Sequence, residues 1–189
     1  PQYAMPRVDA VCPHGRGYTS RHVAPVEVAD GVDALGALAR AGGRPAAGAL
    51  IAADTRDRLA AVGERVPGPS DGAGGDPRPV VYCEEWGDPP MAAGNWVPDA
   101  VAAAGGRDPF CDPGDRSRAV SKERVERADP DHVVLHHCGH GDRVDPDVLA
   151  DRGWDLDATV HVLDDDLLNQ PSPALLDGIE TLAALLHGE

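Results

Sequence analysis

Short apolar runs alternate with helical patterns over the second half of the chain. The runs predict strands over residues 80–83, 132–137 and 159–163. Helical spacing predicts helices over residues 95–104, 121–128 and 145–152. It also predicts a last helix, started by Ser172, whose buried side carries Leu175, Leu176, Ile179, Leu182, Leu185 and Leu186. Strands that alternate with helices predict an α/β fold in which helices flank a parallel sheet.

The first half of the chain is less regular. Four prolines interrupt residues 1–30, and short and long helices are predicted over residues 33–40 and 45–66. Pro45 suits the first turn of the longer helix. This helix carries a rough apolar stripe of Ala46, Ala49, Leu50, Ala53, Leu59, Ala60 and Val66. Residues 67–79 are almost all turn formers and predict a loop.

The composition is strongly acidic. The 189 residues carry a formal net charge of −15, and Lys122 is the only lysine. Such a haloarchaeal-like composition is typical of GC-rich organisms that live at high salt, because concentrated salt screens the repulsion between surface carboxylates. GC-rich coding alone is the alternative explanation. Nucleic acid is excluded as a partner, since phosphate binding needs a basic face.

Several functional classes lack their sequence signals. The four cysteines lie far apart without a CxxC pair, which argues against a zinc ribbon or a thioredoxin-type site and leaves disulfide pairing open. No GxSxG, phosphate-loop or HExxH motif is present, so we expect a protein that is not an enzyme. No apolar run is long enough to span a membrane. Because no secretion signal is readable, an extracytoplasmic or membrane-associated location and a cytoplasmic one both stay open.

Two of the three tryptophans follow the first predicted strand of the regular half. Trp86 and Trp96 lie in a segment rich in proline and glycine, which predicts a rigid loop with an aromatic surface. In a parallel sheet, ligands bind beside the carboxyl ends of the strands. The corresponding loops here cover residues 84–95, 138–142 and 164–172. Trp154 is interpreted as a core residue.

A histidine and cysteine cluster follows the second of these strands. His136, His137, Cys138 and His140 are donor types that suit a transition metal. Alternation along a strand sends His136 and His137 to opposite faces, so both can bind one ion only if the strand bends. The Asp164–Asp166 run predicts either a cation site or a hydrated acidic surface.

An ordered series of short motifs resembles one branch of transport proteins. The motifs are EWGDPPM (85–91), WVPD (96–99), AGG (104–106), SKE (121–123), ADPD (128–131), CG (138–139), QPSP (170–173) and DG (177–178). They resemble the connecting helix and second lobe of the cobalamin-binding type of ABC-transporter solute-binding proteins, whose two α/β lobes are joined by one long helix. The resemblance covers about residues 45–189.

The resemblance implies site residues and partners. Met91 and Ser117 fall where relatives place aromatic rings against a corrin, Asp166 matches a ligand-contacting acid, and Gln170 replaces an arginine. With Trp86, Asp88 and Trp96 these form the predicted ligand-binding set, and Glu123 matches an acid that docks onto the permease. The implied function is the substrate-binding component of an ABC uptake system that binds a corrinoid, such as cobalamin, or a related metal chelate. No cofactor is required. A metal-binding protein using the histidine cluster is the alternative.

The resemblance also implies a division of the chain. Residues 1–44 are too few for a complete first lobe and are interpreted as an incomplete N-terminal lobe. Residues 45–66 form the connecting helix, residues 67–79 a loop, and residues 80–189 the α/β lobe. A fragment, a truncated relative without a transport role and a chain that borrows its second wall from another subunit all fit this pattern.

Overall fold

A computed structural model of the chain describes residues 27–70 and 75–188. Most of the predicted incomplete N-terminal lobe, together with Cys12, therefore lies outside the described residues, as do residues 71–74 of the predicted loop. Nothing in the described part tests the proposed division into lobes, which stays a prediction.

A five-stranded sheet forms the centre of the fold. Its strands are β1 Val81–Gly87, β2 Pro90–Ala92, β3 Arg118–Ala119, β4 His132–Leu135 and β5 Thr159–Val162. They lie in the order β3-β2-β1-β4-β5. Strands β1, β4 and β5 are parallel, as predicted, whereas β2 and β3 add an antiparallel edge. The α/β prediction is confirmed. Strands β2 and β3 were not predicted, because runs of two or three residues give no readable period.

Within residues 27–70 and 75–188, six α-helices surround the sheet. They are α1 Val28–Ala41, α2 Pro45–Gly63, α3 Val97–Ala103, α4 Lys122–Ala128, α5 Val148–Asp151 and α6 Ala174–His187, and a 3-10 turn covers Asp165–Leu167. The Ser121 side chain caps α4 by accepting from the Arg124 amide. Helix α1 begins earlier than predicted and α5 is shorter. These differences lie at element ends, where the apolar period is weakest.

Each face of the sheet packs against its own helices. Val81, Cys83 and Val134 point to the face covered by α2, α3 and α6, where the predicted leucines of α6 are buried or half-buried. Tyr82, Val133 and Leu135 point to the opposite face, which α4 and α5 cover. Odd and even positions of β1 and β4 thus serve two separate cores, as the two-residue period of a strand requires.

Helix α2 buries a different stripe from the predicted one. Its buried residues are Gly48, Ala52 and Val62, while Leu50 is 73% exposed. A Cβ atom on Gly48 would lie 2.2 Å from the Ala39 Cβ, so this glycine lets α1 approach closely. Of the seven predicted residues, Leu59 and Val66 pack against the core. Gly48 was missed because a residue without a side chain does not mark an apolar face in a sequence. Within the described residues, no helix combines the length and the apolar character needed to cross a membrane.

Candidate ligand-binding cleft

An irregularity in β1 redirects two consecutive side chains. Glu84 pairs with Ala92 of β2, but Trp86 pairs with Met91, so β1 contains one extra residue at this point. Such a bulge breaks the alternation of side chains between the two faces of a strand. Glu85 and Trp86 consequently both line the same cleft, although neighbouring strand residues ordinarily face opposite ways.

The cleft lies beside the carboxyl ends of β1 and β4, where the loop positions predicted it. Its empty volume is about 590 Å³. The wall combines aromatic, apolar and uncharged polar groups with one carboxyl group, and it consists of Glu85, Trp86, Met91, Gly94, Asn95, Trp96, Val97, Cys138, Leu168 and Asn169.

Both tryptophans of the predicted loop reach this cleft. Trp86 is 43% exposed, and its indole N–H donates to the Asp88 carbonyl over 2.8 Å. Trp96 is half-buried, and its indole N–H donates to the Leu168 carbonyl over 2.7 Å. Because each indole is fixed by a backbone acceptor, each presents its ring in one orientation. Met91 adds a polarizable thioether to the same wall.

The other predicted ligand residues are placed differently. Asp88, Ser117, Asp166 and Gln170 do not line this cleft. Ser117 accepts a hydrogen bond from the Gly94 amide over 3.0 Å and so shapes the wall from behind. The exposed side chains of Asp166 and Gln170 contact each other, with 3.0 Å between Oδ1 and Nε2. A role for these four in binding stays a prediction.

Three lining residues with polar side chains were missing from the predicted set. Glu85, Asn95 and Asn169 all belong to the strand-end loops that the sequence indicated, but nothing in their residue types distinguished them. Asn95 has a φ of 56°, a left-handed conformation that asparagine tolerates better than most residues. That backbone conformation depends on the turn before α3. From the sequence, only a loop that contains a breaker residue could be predicted at this position.

A buried carboxylate lies next to the cleft on the opposite face of β1. Glu84 is fully buried and accepts from Arg152 Nη1 at 2.9 and 3.0 Å, from His137 Nε2 at 2.8 Å and from the Tyr82 hydroxyl at 2.9 Å. Burial alone would raise the pKa of Glu84, but His137, Arg152 and Tyr82 together hold it below its usual value. The network fixes the end of β1 against β4 and α5.

His136 occupies the cleft side of β4. Its Nδ1 lies 2.6 Å from Asn169 Oδ1, and the Asn169 amide donates back to the His136 carbonyl over 3.0 Å. This reciprocal pair holds Asn169 in the cleft wall. Burial lowers the pKa of His136 to about 4, and the Asn169 contact offsets only part of that shift. The ring is therefore neutral at physiological pH.

The predicted histidine and cysteine metal cluster does not converge. His136 and His137 point to opposite faces of β4 and bind Asn169 and Glu84 respectively, as strand alternation requires, while Cys138 and His140 are exposed. Among the residues that the structure describes, only Asp164, Asp165 and Asp166 bring three donor atoms within 4.8 Å. The arrangement therefore argues against one ion shared by all four side chains.

The acidic run has a local structural role. Asp165 accepts from the Gly139 and Gly141 amides at 2.7 and 2.8 Å, and Asp164 accepts from the Asp166 amide at 3.0 Å. These bonds hold the loop after β4 against the 3-10 turn.

Glu123, the predicted permease-docking residue, is exposed in the first turn of α4. In the described chain, Cys83, Cys111 and Cys138 are free thiols.

Comparisons with known proteins give structural matches alone. No family model and no curated protein sequence matches the chain. The periplasmic vitamin B12 binding protein BtuF of Vibrio cholerae matches with a TM-score of 0.68 and 21% identity, over 90% of this chain and 65% of that one. An ABC-type Fe3+-hydroxamate transport system structure from Saccharomonospora viridis matches with a TM-score of 0.64 and 23% identity, over 89% and 59%. The periplasmic heme-binding protein RhuT from Roseiflexus sp. RS-1 matches with a TM-score of 0.67 and 22% identity, over 87% and 64%.

These matches identify an architecture. The chain spans about 59–65% of the length of these three proteins. Each match covers at least 87% of this chain. The chain therefore has the α/β fold of periplasmic solute-binding proteins that are similar to the cobalamin-binding type.

Proposed function

We propose that this chain is the substrate-binding component of an ABC uptake system and that it binds a corrinoid or a related metal chelate. The binding surface is the cleft at the carboxyl ends of β1 and β4. The role is to hold the ligand rather than to transform it. The fold supports a solute-binding role, and the ligand class is inferred from the chemistry of the cleft wall.

The observation that carries the proposal is the pair of tryptophans in one open cleft. Trp86 is 43% exposed although an indole is costly to leave in water, and Trp96 flanks the same space. An exposed, hydrogen-bonded ring beside a concave wall is suited to stack against a flat apolar partner. The cleft is open and has an empty volume of about 590 Å³, so it would contact one side of a macrocyclic chelate rather than enclose it.

The three structurally similar proteins are named for ligands of the class proposed here. Their names give vitamin B12, a ferric hydroxamate and heme, which are all metal complexes of organic ligands. A corrinoid fits best with a wall of indole, thioether and amide groups, because the corrin ring is broad and its edge carries amides. The motif series around residues 85–106 supports the same choice.

Calorimetric titration with cyanocobalamin and dicyanocobinamide tests the proposal. We expect saturable binding of at least one corrinoid, with an affinity about tenfold weaker in Trp86→Ala, since one stacked ring contributes on the order of 1 kcal/mol or more. Trp154→Phe is the matched control, because Trp154 stacks on Tyr82 at 6.1 Å and packs with the opposite core. Absence of binding of both corrinoids at millimolar concentration would remove the proposed function.

Permease docking through Glu123 is part of the same proposal. Glu123 and the neighbouring Lys122–Ala128 helix surface are exposed enough to meet an arginine of a membrane partner. Glu123→Arg is expected to abolish transport into vesicles that contain the cognate permease while leaving corrinoid affinity unchanged. Transport at the normal rate in that variant would reject this contact.

A further inference from the structure

The described wall of the cleft carries no positive charge. Glu85 is its single carboxyl group, and neither an arginine nor a lysine lines it within the described residues. Among the arginines near this end of the sheet, Arg152 binds Glu84, Arg118 binds Asp115, and Arg143 donates to the His140 carbonyl over 3.1 Å. Arg116, whose backbone packs against Gly94, is exposed and is not among the residues that line the cleft. A ligand that brings its own carboxylates would find no cation on this wall to pair with.

Glu85 is placed to act on a ligand. It follows the buried Glu84 and faces the opposite side of β1, toward the cleft, where it is half-buried. Burial raises the pKa of Glu85, while contact with the Ser117 hydroxyl favours the charged form. A carboxylate accepts hydrogen bonds and cannot donate them, so Glu85 favours ligand groups with N–H or O–H donors.

The remaining polar side chains of the wall are amides. Asn95 and Asn169 each offer both an acceptor and donors, and His136 holds Asn169 in place. Amides pair well with other amides and do not compensate a buried negative charge. The wall therefore matches a ligand edge of neutral amide groups.

From this arrangement we infer that the cleft selects a chelate whose edge carries neutral amides over one whose edge carries carboxylates, and that Glu85 is the specificity-determining residue. The inference rests on the proposed chelate-binding function and names the ligand class of that same cleft. A ligand carboxylate within a few ångströms of Glu85 would be repelled in a partly desolvated site, which weakens binding on the order of a hundredfold.

A matched pair of corrinoids provides the test. Dicyanocobinamide carries amides around the corrin, and dicyanocobyrinic acid carries carboxylates at the same positions. We expect the native chain to bind the amide form about a hundredfold more tightly by calorimetry at neutral pH. In Glu85→Gln, which keeps the side-chain shape, the ratio is expected to fall about tenfold or more, chiefly because the carboxylate form binds better.

Asp151→Asn is the matched control, since it removes one negative charge from the exposed end of α5. Its affinity ratio is expected to equal that of the native chain, and a ratio lowered as far as in Glu85→Gln would overturn the role of Glu85. Equal native affinities for the two corrinoids, or tighter binding of hemin with its two carboxylates, would overturn the inference and leave a chelate-binding role intact. Failure of all three probes to bind would instead overturn the proposed function.

Discussion

The Nη1 atom of Arg152 lies 2.9 Å from Oε2 and 3.0 Å from Oε1 of Glu84, whose side chain is fully buried. Both charges are largely removed from water, so the net attraction of the pair contributes little to stability. Removing one partner is costly, however, because it leaves the other charge buried and uncompensated. Loss of the guanidinium would leave a buried carboxylate with only His137 and Tyr82 as donors. The end of β1, and with it the cleft, depends on this contact.

Arg152→Met is therefore expected to lower the free energy of unfolding by roughly 3–5 kcal/mol, as for other buried ion pairs broken from one side. Urea denaturation measures the loss. Arg56→Met is the control, because the Arg56–Asp33 pair is exposed, with side chains 58% and 80% accessible. It should cost less than about 1 kcal/mol. Similar losses in the two variants would contradict the importance of the buried pair.

Trp96→Phe is expected to loosen the cleft wall. The change removes the indole N–H and leaves the carbonyl oxygen of Leu168 without that hydrogen bond. The free energy of unfolding should therefore fall by about 1 kcal/mol. Corrinoid affinity should fall several-fold as well, since Trp96 and Leu168 both line the cleft. Thermal unfolding and calorimetric titration report the two effects. Unchanged affinity would show that the Trp96–Leu168 contact has no part in binding.

Acidification is expected to destabilise the fold through His136. Its pKa is about 4 in the folded chain against an ordinary 6.5, so the unfolded chain binds more protons between these values. The stability contributed by the neutral ring is complete above pH 6.5 and is lost as the pH falls toward 4, by up to about 3 kcal/mol.

Other groups titrate in the same range. Burial raises the pKa of Asp108 to about 6, which stabilises the fold as the pH falls from 6 and so acts in the opposite direction. Burial also lowers the pKa values of His132 and His161, which act in the same direction as His136. The difference between native and His136→Gln unfolding curves from pH 7 to 4 isolates His136. A difference that does not change with pH would refute its role.

Gly178→Ala is expected to separate α6 from the 3-10 turn. A Cβ atom on Gly178 would lie 2.3 Å from the Leu167 carbonyl oxygen, and this backbone cannot move without shifting the cleft loop. A loss of about 1–3 kcal/mol is expected from such overpacking. Gly63→Ala at the end of α2 meets nothing within 4 Å and should be neutral or stabilising by up to about 1 kcal/mol. Equal stabilities of the two variants in urea would contradict the close contact.

Cys138 is expected to report occupancy of the cleft. In a Cys12→Ser background, a thiol reagent such as DTNB should modify the exposed Cys138 quickly, while the buried Cys83 and Cys111 react only after unfolding. Bound corrinoid should slow the Cys138 reaction, because this thiol lines the cleft. Equal rates with and without saturating corrinoid would place the ligand elsewhere.

The elements with a strong apolar period could be predicted from the sequence. Helix α6 repeats leucine and isoleucine at helical spacing, and its buried residues are largely those expected. Strand alternation also predicted that His136 and His137 would face apart. In contrast, α2 packs through Gly48 and Ala52, which carry little pattern, so its buried face was assigned only in part: Leu59 packs against the core as expected, whereas Leu50 is exposed.

The location of the cleft could be predicted, but its full wall could not. Trp86 and Trp96 are unusual residues in a strand-end loop and were assigned to the site from that feature, whereas Met91 was assigned from the resemblance to solute-binding proteins. Glu84 and Glu85 are the same residue type side by side, and only the bulge and the position of Arg152 give one a buried partner and the other a place in the cleft. These depend on contacts across distant segments, which a local pattern does not encode.

The extra residue in β1 means that the site is specified by the count of residues as well as by their identity. A chain shortened by Glu85 alone would regain an uninterrupted ladder with β2. Trp86 would then follow Glu84 directly, and strand alternation would place it on the cleft face in the position of Glu85. Natural variants of this kind would keep the architecture and the indole but lose the carboxyl group, so the spacing between Cys83 and Trp86 is a simple marker for the charge of the cleft wall among similar chains.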